Sequence, residues 1–268
     1  MKTLTGKTAL ITGASRGIGT YIARTLAGLC VRIIAVARSS EGLNDICDTI
    51  KSEGGYAKAI PFDLAYPEKI SELTEIVKKS ADHIDILINN AGIERYLHYQ
   101  DYSSEQLNAI LNINLHSPME LTRILLPDML KNGGHIVNIA SLAGKKGIAF
   151  NSIYSATKSG LIMWTDAMRQ ELKETNVNIS VICPGYISDA GMFYDSHAKP
   201  PVMLGTSHPQ KVADAVVKSI QKNKAELIVN SGPMKPLLAL AQILPRLGDR
   251  IVNGFGVNKL NRNRAQTK

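Results

Sequence analysis

Aromatic residues and long apolar runs are scarce in this 268-residue chain. Phe, Trp and Tyr make up 5% of it against 44% hydrophobic residues overall, so we expect a largely aliphatic core. No apolar run approaches the roughly 20 residues that a membrane-spanning helix needs, and the longest candidate, 236–245, is interrupted by Gln242. The six His show no metal-ligand spacing, which predicts that there is no metal site.

Cysteine is also rare. Cys30, Cys47 and Cys183 lie far apart in apolar surroundings and form no C-x-x-C pair. We therefore expect free buried thiols, which are typical of a reducing compartment. The first residues are polar, lead straight into a strand pattern and show no signal-peptide pattern. Together these features predict a cytoplasmic protein.

The net charge of +8 is not spread evenly along the chain. Residues 1–230 hold 24 Lys and Arg against 22 Asp and Glu, whereas residues 231–268 hold 7 against 1. The basic character therefore belongs to the C-terminal segment. A nearly balanced body argues against a nucleic-acid binder, so we expect no nucleic-acid partner.

Short aliphatic runs alternate with amphipathic stretches up to about residue 230. The runs predict buried strands at 8–12, 31–37, 57–62, 84–89, 135–140, 177–183 and 227–229, and the stretches predict helices at about 17–29, 41–53, 67–80, 104–131, 152–175 and 209–223. This alternation predicts one α/β domain over 1–230, a doubly wound, Rossmann-like parallel sheet of about seven strands with helices on both faces. Residues 231–268 then form an extension, and the irregular stretch 186–207 is a candidate lid.

A glycine-rich turn, T-G-x-x-x-G-x-G, separates the first strand from the first helix at 12–19. Its glycines allow a tight turn and close backbone approach, so a pyrophosphate could rest on the helix N-terminus. This placement predicts a nucleotide site. Residues 13–17 also match G-x-S-x-G, the nucleophile elbow of serine hydrolases, with Ser15 as nucleophile. Such an elbow normally follows a mid-chain strand, which leaves the hydrolase a remote alternative.

The residues at the end of the second predicted strand indicate which nucleotide binds. An NAD site would carry an acidic residue there for the ribose hydroxyls. This chain has Arg38 and Ser39 instead. Arg38, with Arg16 in the glycine-rich turn, could hold a 2′-phosphate, which predicts NADP(H) rather than NAD(H). The alternative is that both arginines are ordinary surface charges.

Tyr154 and Lys158 are four residues apart in a predicted helix, so they share one face of it. The Lys charge could lower the phenol pKa from about 10 toward neutrality, making Tyr154 a general acid or base. Ser141 stands thirteen residues before Tyr154. By itself the Y-x-x-x-K pattern is weak, and it gains weight from the nucleotide site at the N-terminus.

Over about residues 5–230 the chain resembles the short-chain dehydrogenase/reductase family. The motifs that carry the resemblance are Thr12-Gly13-x-x-x-Gly17-x-Gly19, Asp63-Leu64, Asn89-Asn90-Ala91-Gly92, Asn114, Ser141, Tyr154-x-x-x-Lys158 and Pro184-Gly185. The resemblance implies an oxidoreductase that interconverts a carbonyl compound and an alcohol by hydride transfer. It also implies a homodimer or homotetramer formed through the helices at 104–131 and 152–175.

The resemblance assigns catalytic roles to four residues. Tyr154 would exchange a proton with the substrate oxygen, and Lys158 would lower the pKa of Tyr154 and hold the nicotinamide ribose. Ser141 would hydrogen-bond the substrate oxygen. Asn114 would bind a water that relays protons from Lys158. Without the family, Ser141 could be a strand-end turn residue and Asn114 a helix residue that bonds locally.

A larger set would bind the cofactor. By resemblance it comprises Gly13, Ser15, Arg16, Gly17, Ile18, Gly19, Arg38, Ser39, Asp63, Leu64, Asn90, Ala91, Gly92, Tyr154, Lys158, Pro184, Gly185 and Ile187. Asp63 would accept from the adenine amino group, although it could instead cap the next helix. One position departs from the family pattern, because Asp189 stands where a Thr is common after Pro-Gly; Ser188 is the candidate substitute.

Apolar residues near the catalytic segment and in the candidate lid predict a hydrophobic ketone or aldehyde as substrate. The pocket candidates are Leu142, Met192, Phe193 and Tyr194, with Ile93, Tyr96, Leu97, Phe150, Met203 and Leu204 as further members. The alternative class is a catalytically silent NADP-binding protein, against which the intact catalytic set argues.

The extension 231–268 combines a short apolar helix pattern with basic residues. Such a segment could lie on an anionic membrane surface, which would make the protein membrane-peripheral. It could also pack on its own body or on a partner subunit and cover the substrate mouth. The sequence leaves these three possibilities open.

Overall fold

The structure is a computed structural model that describes residues 1–201, 204–232 and 234–266. The strands are β1 (Thr8–Thr12), β2 (Arg32–Ala37), β3 (Ala57–Pro61), β4 (Ile86–Asn89), β5 (Gly134–Ile139), β6 (Val177–Pro184) and β7 (Glu226–Val229). The helices are α1 (Ile18–Ala27), α2 (Ser40–Ser52), α3 (Ile70–Lys78), α4 (Ser104–Leu111), α5 (Ser117–Asn132), α6 (Ser152–Glu171), α7 (Pro209–Lys222), α8 (Met234–Ile243), α9 (Pro245–Gly254) and α10 (Val257–Gln266).

Within the described residues the strands form one seven-stranded parallel sheet in the order β3-β2-β1-β4-β5-β6-β7. Successive side chains of a strand point to opposite faces, and Ile33 and Ile34 accordingly enter two different apolar clusters. Helices cover both faces, which explains why the strands are aliphatic throughout. The predicted doubly wound, Rossmann-like α/β fold is confirmed.

The site is positioned by a reversal in strand order. The chain builds outward from β1 to β3 and then returns to place β4 on the other side of β1. In such sheets a crevice opens at the carboxyl ends of the two strands that flank the reversal. The side-chain amide of Asn90, just after β4, donates to the carbonyl oxygens of Thr12 and Gly13 at 2.9 and 3.0 Å. These bonds hold the two loops of the crevice together.

One predicted helix is interrupted. The pattern at 104–131 predicted a continuous helix, but a π-helical turn, Asn112–His116, separates α4 from α5. A π-turn inserts an extra residue into the helical register, and such turns are frequent at functional sites. Asn114 lies within it. The helix then ends at Gly133, whose φ of 79° suits glycine.

In its described residues the C-terminal extension forms three short helices, α8 to α10. It contacts the loop that follows β5: Lys146 pairs with Asp249 at 2.7 Å, and Asn261 donates to the carbonyl of Ala149 at 3.2 Å. The extension also has exposed apolar residues, Leu240, Ile243, Leu244 and Leu247. Contact with a membrane or a partner subunit stays a prediction. None of the described helices is long and apolar enough to cross a membrane.

The structure contradicts one expectation about the cysteines, namely that all three are buried. Cys47 and Cys183 are buried, as expected, whereas Cys30 is exposed. Cys30 lies in the turn between α1 and β2, outside the helix–sheet interface, and its φ is 58°. The expectation of three buried thiols was wrong for this residue.

Candidate active site

A cavity of about 420 Å³ lies at the carboxyl ends of the strands and brings most of the predicted site residues together. Those that line it are Gly13, Ser15, Arg16, Gly17, Ile18, Arg38, Ser39, Asp63, Leu64, Asn90, Ala91, Gly92, Ser141, Leu142, Tyr154, Lys158, Pro184, Gly185, Ile187, Met192 and Phe193. Three predicted residues, Gly19, Asn114 and Tyr194, are not among its lining. Met203 lies outside the described residues.

The glycine-rich loop forms one end of the cavity. Gly13 and Gly17 have φ values of 66° and 63°, in the left-handed region that favours glycine. Gly19 is buried behind the loop, where a Cβ atom would collide with the carbonyl oxygen of Gly13. No side chain caps the start of α1. This cradle suits the pyrophosphate of a dinucleotide, since backbone and helix N-terminus can approach it closely.

The residues predicted to select the cofactor differ in whether their side chains bond to other residues. Arg38 is exposed, lines the cavity at the end of β2 and has Ala37 and Ser39, not an acid, beside it. Ser39 caps α2 by accepting from the amide of Gly42 at 3.2 Å. The guanidinium of Arg16 pairs with Asp195 of the candidate lid. Arg38 is therefore the better placed of the two arginines to meet a 2′-phosphate.

Asp63 lines the cavity and also makes a local bond. Its Oδ1 accepts from the amide of Ala65 at 2.9 Å, which is a turn within the loop rather than a cap on α3. Leu64 beside it is buried in the apolar cluster. The structure thus places this pair at the cofactor end, and adenine contact by Asp63 stays a prediction.

The predicted catalytic residues Ser141, Tyr154 and Lys158 line the same cavity. Tyr154 and Lys158 are 6% and 3% exposed on one face of α6, with the Lys158 Nζ 5.7 Å from the Tyr154 ring centroid. Nζ donates to the carbonyl oxygen of Ile139, at the end of β5, at 2.8 Å. Ser141 follows β5, accepts from the amide of Ala143 at 3.1 Å and lies close enough to Tyr154 for its hydroxyl to lower the pKa of that phenol. Sheet and helix thus hold the three side chains together.

The electrostatics of this group differ from the prediction. Burial raises the pKa of Tyr154, the nearby carboxylate of Glu94 raises it further, and the hydrogen bond with Ser141 lowers it. Burial also lowers the pKa of Lys158 to about 8. In this structure the phenol pKa is therefore raised rather than lowered toward neutrality, because burial desolvates the phenolate, and the lowering of that pKa by Lys158 stays a prediction.

Asn114 does not itself line the cavity, and its side chain bonds to two neighbouring segments. Its side-chain amide donates to the carbonyl of Ile93 at 2.8 Å and to Thr157 at 3.3 Å, while its Oδ1 accepts from the Ile93 amide at 2.8 Å. The local-bonding alternative is excluded, since these partners belong to the loop after β4 and to α6. Asn114 thus fixes the loop that carries Gly92 beside Lys158, and its role in a proton relay stays a prediction.

Apolar side chains line much of the rest of the cavity. Leu142, Met192 and Phe193 contribute to it, together with residues of the C-terminal helices that were not predicted as pocket members: Met234, Leu237, Leu238, Ile251, Val252, Phe255 and Val257. The prediction that Tyr194 belongs to the pocket was wrong. Within the described part of the chain Tyr194 begins a 3₁₀ turn, is 52% exposed and does not line the cavity. Phe193 takes the inward position and packs on Tyr186.

The further pocket candidates divide in the same way. Ile93, Tyr96 and Leu204 line the cavity, whereas Leu97 and Phe150, both described, do not. Phe150 instead packs edge-on against His98, with ring centroids 5.0 Å apart. Ser188, the proposed substitute for the missing Thr, bonds to Asp189 and is also absent from the lining.

Sequence reasoning missed Glu94 and Arg264. Glu94 lines the cavity beside Tyr154, and Arg264 of α10 pairs with it at 2.9 Å across 170 positions of sequence. The only feature of the sequence that pointed to this pair was the excess of basic residues in 231–268. Among the described residues no cluster of His, Cys, Asp or Glu is arranged to hold a metal ion.

Comparison with known proteins identifies the class. A family model described as short chain dehydrogenase matches residues 7–200, so the chain belongs to the short-chain dehydrogenase/reductase family. The predicted family is thus confirmed. The serine-hydrolase alternative loses its basis, because the glycine-rich loop belongs to this family's nucleotide site and no described histidine lines the cavity near Ser15.

Three individual proteins are similar to this chain in sequence or in fold. The chain is 52% identical to the ketoacyl reductase HetN of a Nostoc species, over all of this chain and 96% of that protein. A metagenomic short-chain oxidoreductase solved with NADP is 31% identical, with a TM-score of 0.73 over 84% of this chain and 97% of the other. A short-chain dehydrogenase/reductase from Burkholderia phymatum solved with NAD has a TM-score of 0.81 over 92% and 96% of the two chains, at 21% identity, which shows the fold alone.

Proposed function

We propose that this protein is an NADPH-dependent reductase of hydrophobic carbonyl compounds, with the ketone of an acyl chain as its substrate class. One observation carries the proposal. A single cavity joins the glycine-rich cradle, the Tyr154–Lys158–Ser141 group and an apolar wall from α8 and α9. The identity of 52% to a ketoacyl reductase supports an acyl ketone within that class.

The preference for NADP(H) rests on Arg38. It lies at the end of β2, exposed and next to the cavity, at the position where an acidic residue would favour NAD(H). A guanidinium there matches a phosphate bidentately. The NADP complex of the 31%-identical relative supports this choice.

The chain's own residues supply the proton chemistry. When bound, a reduced nicotinamide supplies hydride to the carbonyl carbon, and the cradle at 13–19 would hold its pyrophosphate. Negative charge then develops on the substrate oxygen, which requires hydrogen-bond donors placed in advance. Tyr154, whose pKa is raised, stays protonated at neutral pH and can donate, and the Ser141 hydroxyl provides a second donor. Lys158 adds positive potential beneath them.

The apolar wall provides selectivity for chain length. Each buried methylene contributes about 0.8 kcal/mol, which corresponds to a factor of about four in binding. We therefore expect kcat/KM to rise about fourfold per added methylene until the acyl chain extends beyond the apolar wall. Small charged keto acids gain nothing from this wall and leave it exposed to water.

The test is NADPH oxidation measured against 3-ketoacyl thioesters of increasing length, hydrophobic ketones and short keto acids. Rising kcat/KM with chain length is expected. Activity confined to short keto acids would refute the substrate class. Tyr154→Phe should lose at least about a hundredfold in turnover because the proton donor is gone, with NADPH affinity largely intact. Wild-type turnover by this variant would refute the assigned role of Tyr154.

The silent NADP-binding alternative is distinguished in the same assay. It predicts NADPH binding by the wild type without turnover of any carbonyl tested. A homodimer or homotetramer formed through α4–α6 also belongs to the proposal; Met163, 67% exposed on α6, and Leu130, 39% exposed on α5, are apolar residues that assembly would cover. Light scattering of the purified chain measures the assembly.

A further inference from the structure

The C-terminal helix α10 carries a charged residue into the interior of the site. Arg264 pairs with Glu94 at 2.9 Å, and the two side chains are only 11% and 14% exposed. A buried ion pair is costly unless its geometry is good and its remaining atoms are hydrogen-bonded. Here the Glu94 carboxylate also accepts from the hydroxyl of Tyr96 at 3.1 Å. On the arginine side the Nη1 of Arg264 is buried and has no hydrogen-bond partner among the described residues, so the pair is an interior contact whose bonding is complete only in part.

Arg264 also stacks on two aromatic rings. Its guanidinium carbon lies 3.7 Å from the ring centroid of Tyr96 and 5.6 Å from that of Phe193. Cation–π contacts of this kind gain strength when desolvated. Tyr96 belongs to the loop after β4 and Phe193 to the candidate lid, and both line the cavity. One side chain of the tail thus ties together three segments that meet at the substrate end.

Glu94 faces the catalytic group. Its negative charge favours the protonated forms of Tyr154 and Lys158, raising the pKa of each. The charged and titratable groups around Glu94 are Arg264 from α10, Tyr96 and Tyr102 near it in sequence, Tyr154 and Lys158 from α6, and Tyr186 after β6. Cys183, buried in β6, also acts on Tyr154 and Lys158. Arg264 is the only arginine or lysine of the described residues paired with Glu94.

We propose that Arg264 and Glu94 form a latch that makes the C-terminal extension a required part of the active site, with both as positioning residues. The latch holds the lid residue Phe193 and the loop after β4 against the substrate end, and it fixes the carboxylate that faces Tyr154 and Lys158. This inference rests on the proposed function, since it assigns the latch to carbonyl reduction.

Five variants of the full chain test it, the fifth being Glu94→Gln alone in the pH profile. Arg264→Met removes the charge and leaves Glu94 buried without its partner, so we expect kcat/KM to fall about tenfold to a hundredfold, as for misplaced active-site groups, with NADPH affinity unchanged. Glu94→Gln with Arg264→Met leaves neither charge unpaired and should recover at least about tenfold. Asp249→Asn is the matched control, because Asp249 also ties the tail to the body but pairs with Lys146, and its side chain is 71% exposed. Arg264→Lys keeps the charge and loses the flat stacking, so it should be intermediate.

The pH profile separates a positioning role from simple stabilisation. Removing the Glu94 charge weakens the protonated forms of Tyr154 and Lys158, so the alkaline limb of kcat/KM should move to lower pH in Glu94→Gln. It should stay in place in Asp249→Asn. If Arg264→Met does not fold, the double variant and Arg264→Lys carry the test. Activity of the Arg264 variants equal to that of Asp249→Asn, with an unmoved alkaline limb in Glu94→Gln, would overturn the proposal.

Hydrogen exchange distinguishes failure of the latch from failure of the proposed function. If the wild type reduces no carbonyl compound, the proposed function fails by itself. The latch still predicts that the amides of α10 exchange at least about tenfold faster in Arg264→Met than in Asp249→Asn, because local opening then lacks the ion pair. Equal protection of α10 in these two variants would overturn the latch whatever the substrate.

Discussion

Substitution of Arg38 tests the proposed preference for NADP(H), because that preference rests on this residue. Arg38 is exposed at the end of β2 and lines the cavity, and no acidic residue adjoins it. Arg38→Ala removes the positive charge, and Arg38→Asp places an acid where an NAD site would have one. Both changes leave the buried part of the strand untouched, so we expect little effect on folding.

The size of the effect follows from the exposure of Arg38. Two unit charges 4 Å apart interact by ~4 kcal/mol near a protein surface, and hydrogen bonds to charged groups contribute about 1.5–3 kcal/mol net. Solvent exposure favours the lower part of that range. Arg38→Ala should therefore lower the ratio of kcat/KM for NADPH to that for NADH by about tenfold to fortyfold. Arg38→Asp should lower it further, because an acid repels the 2′-phosphate.

Steady-state kinetics with both cofactors measures this ratio. Arg32→Ala is the matched control: Arg32 is exposed at the other end of the same strand, where it stacks on Tyr56 at 4.2 Å. Salt gives a second check, since screening at 1 M should shrink the NADPH preference of the wild type. A ratio that changes by less than about twofold in Arg38→Ala, or equally in Arg32→Ala, would refute the reasoning.

Three further predictions address other parts of the molecule. Gly19→Ala should abolish NADPH binding in a fluorescence titration, because the added Cβ collides with the carbonyl oxygen of Gly13; unchanged affinity would contradict the cradle. The rate of reduction should fall as the pH rises through about 8, where Lys158 loses its proton, and a flat profile to pH 10 would contradict this. If the tail contacts anionic membranes, Ile243→Ser with Leu244→Ser should reduce co-sedimentation with anionic vesicles while Met163→Ser, at an exposed residue of α6, does not; equal sedimentation of all three chains would count against it.

The fold was predictable because its signals are local. Each buried strand is a short aliphatic run, and each helix has a regular apolar face, so the alternation identifies the doubly wound sheet before any contact is known. The glycine-rich turn and the Tyr154–Lys158 spacing are equally local. The sheet order then brings them together, because the loops that follow parallel strands emerge at one edge.

The missed features depend on contacts between distant parts of the chain. Residues 94 and 264 carry no mutual signal in sequence, and only the packing of α10 reveals their ion pair. The pKa of Tyr154 was predicted from the neighbouring lysine alone, whereas desolvation by burial is the largest influence on it. Tyr194 and Phe193 are adjacent aromatic residues, and the backbone of a 3₁₀ turn determines which of them faces inward.

In the proposed function, the reaction chemistry and much of the substrate selection come from separate parts of this sequence. The family model spans residues 7–200 and contains the cradle and the catalytic group. Much of the apolar wall comes from α8 and α9, beyond that span, and so does the arginine that pairs with Glu94. Family membership therefore supports the type of reaction but says little about the substrate. Because the wall and the latch share one C-terminal segment, changes in that segment should alter substrate preference and the alkaline limb of the pH profile together.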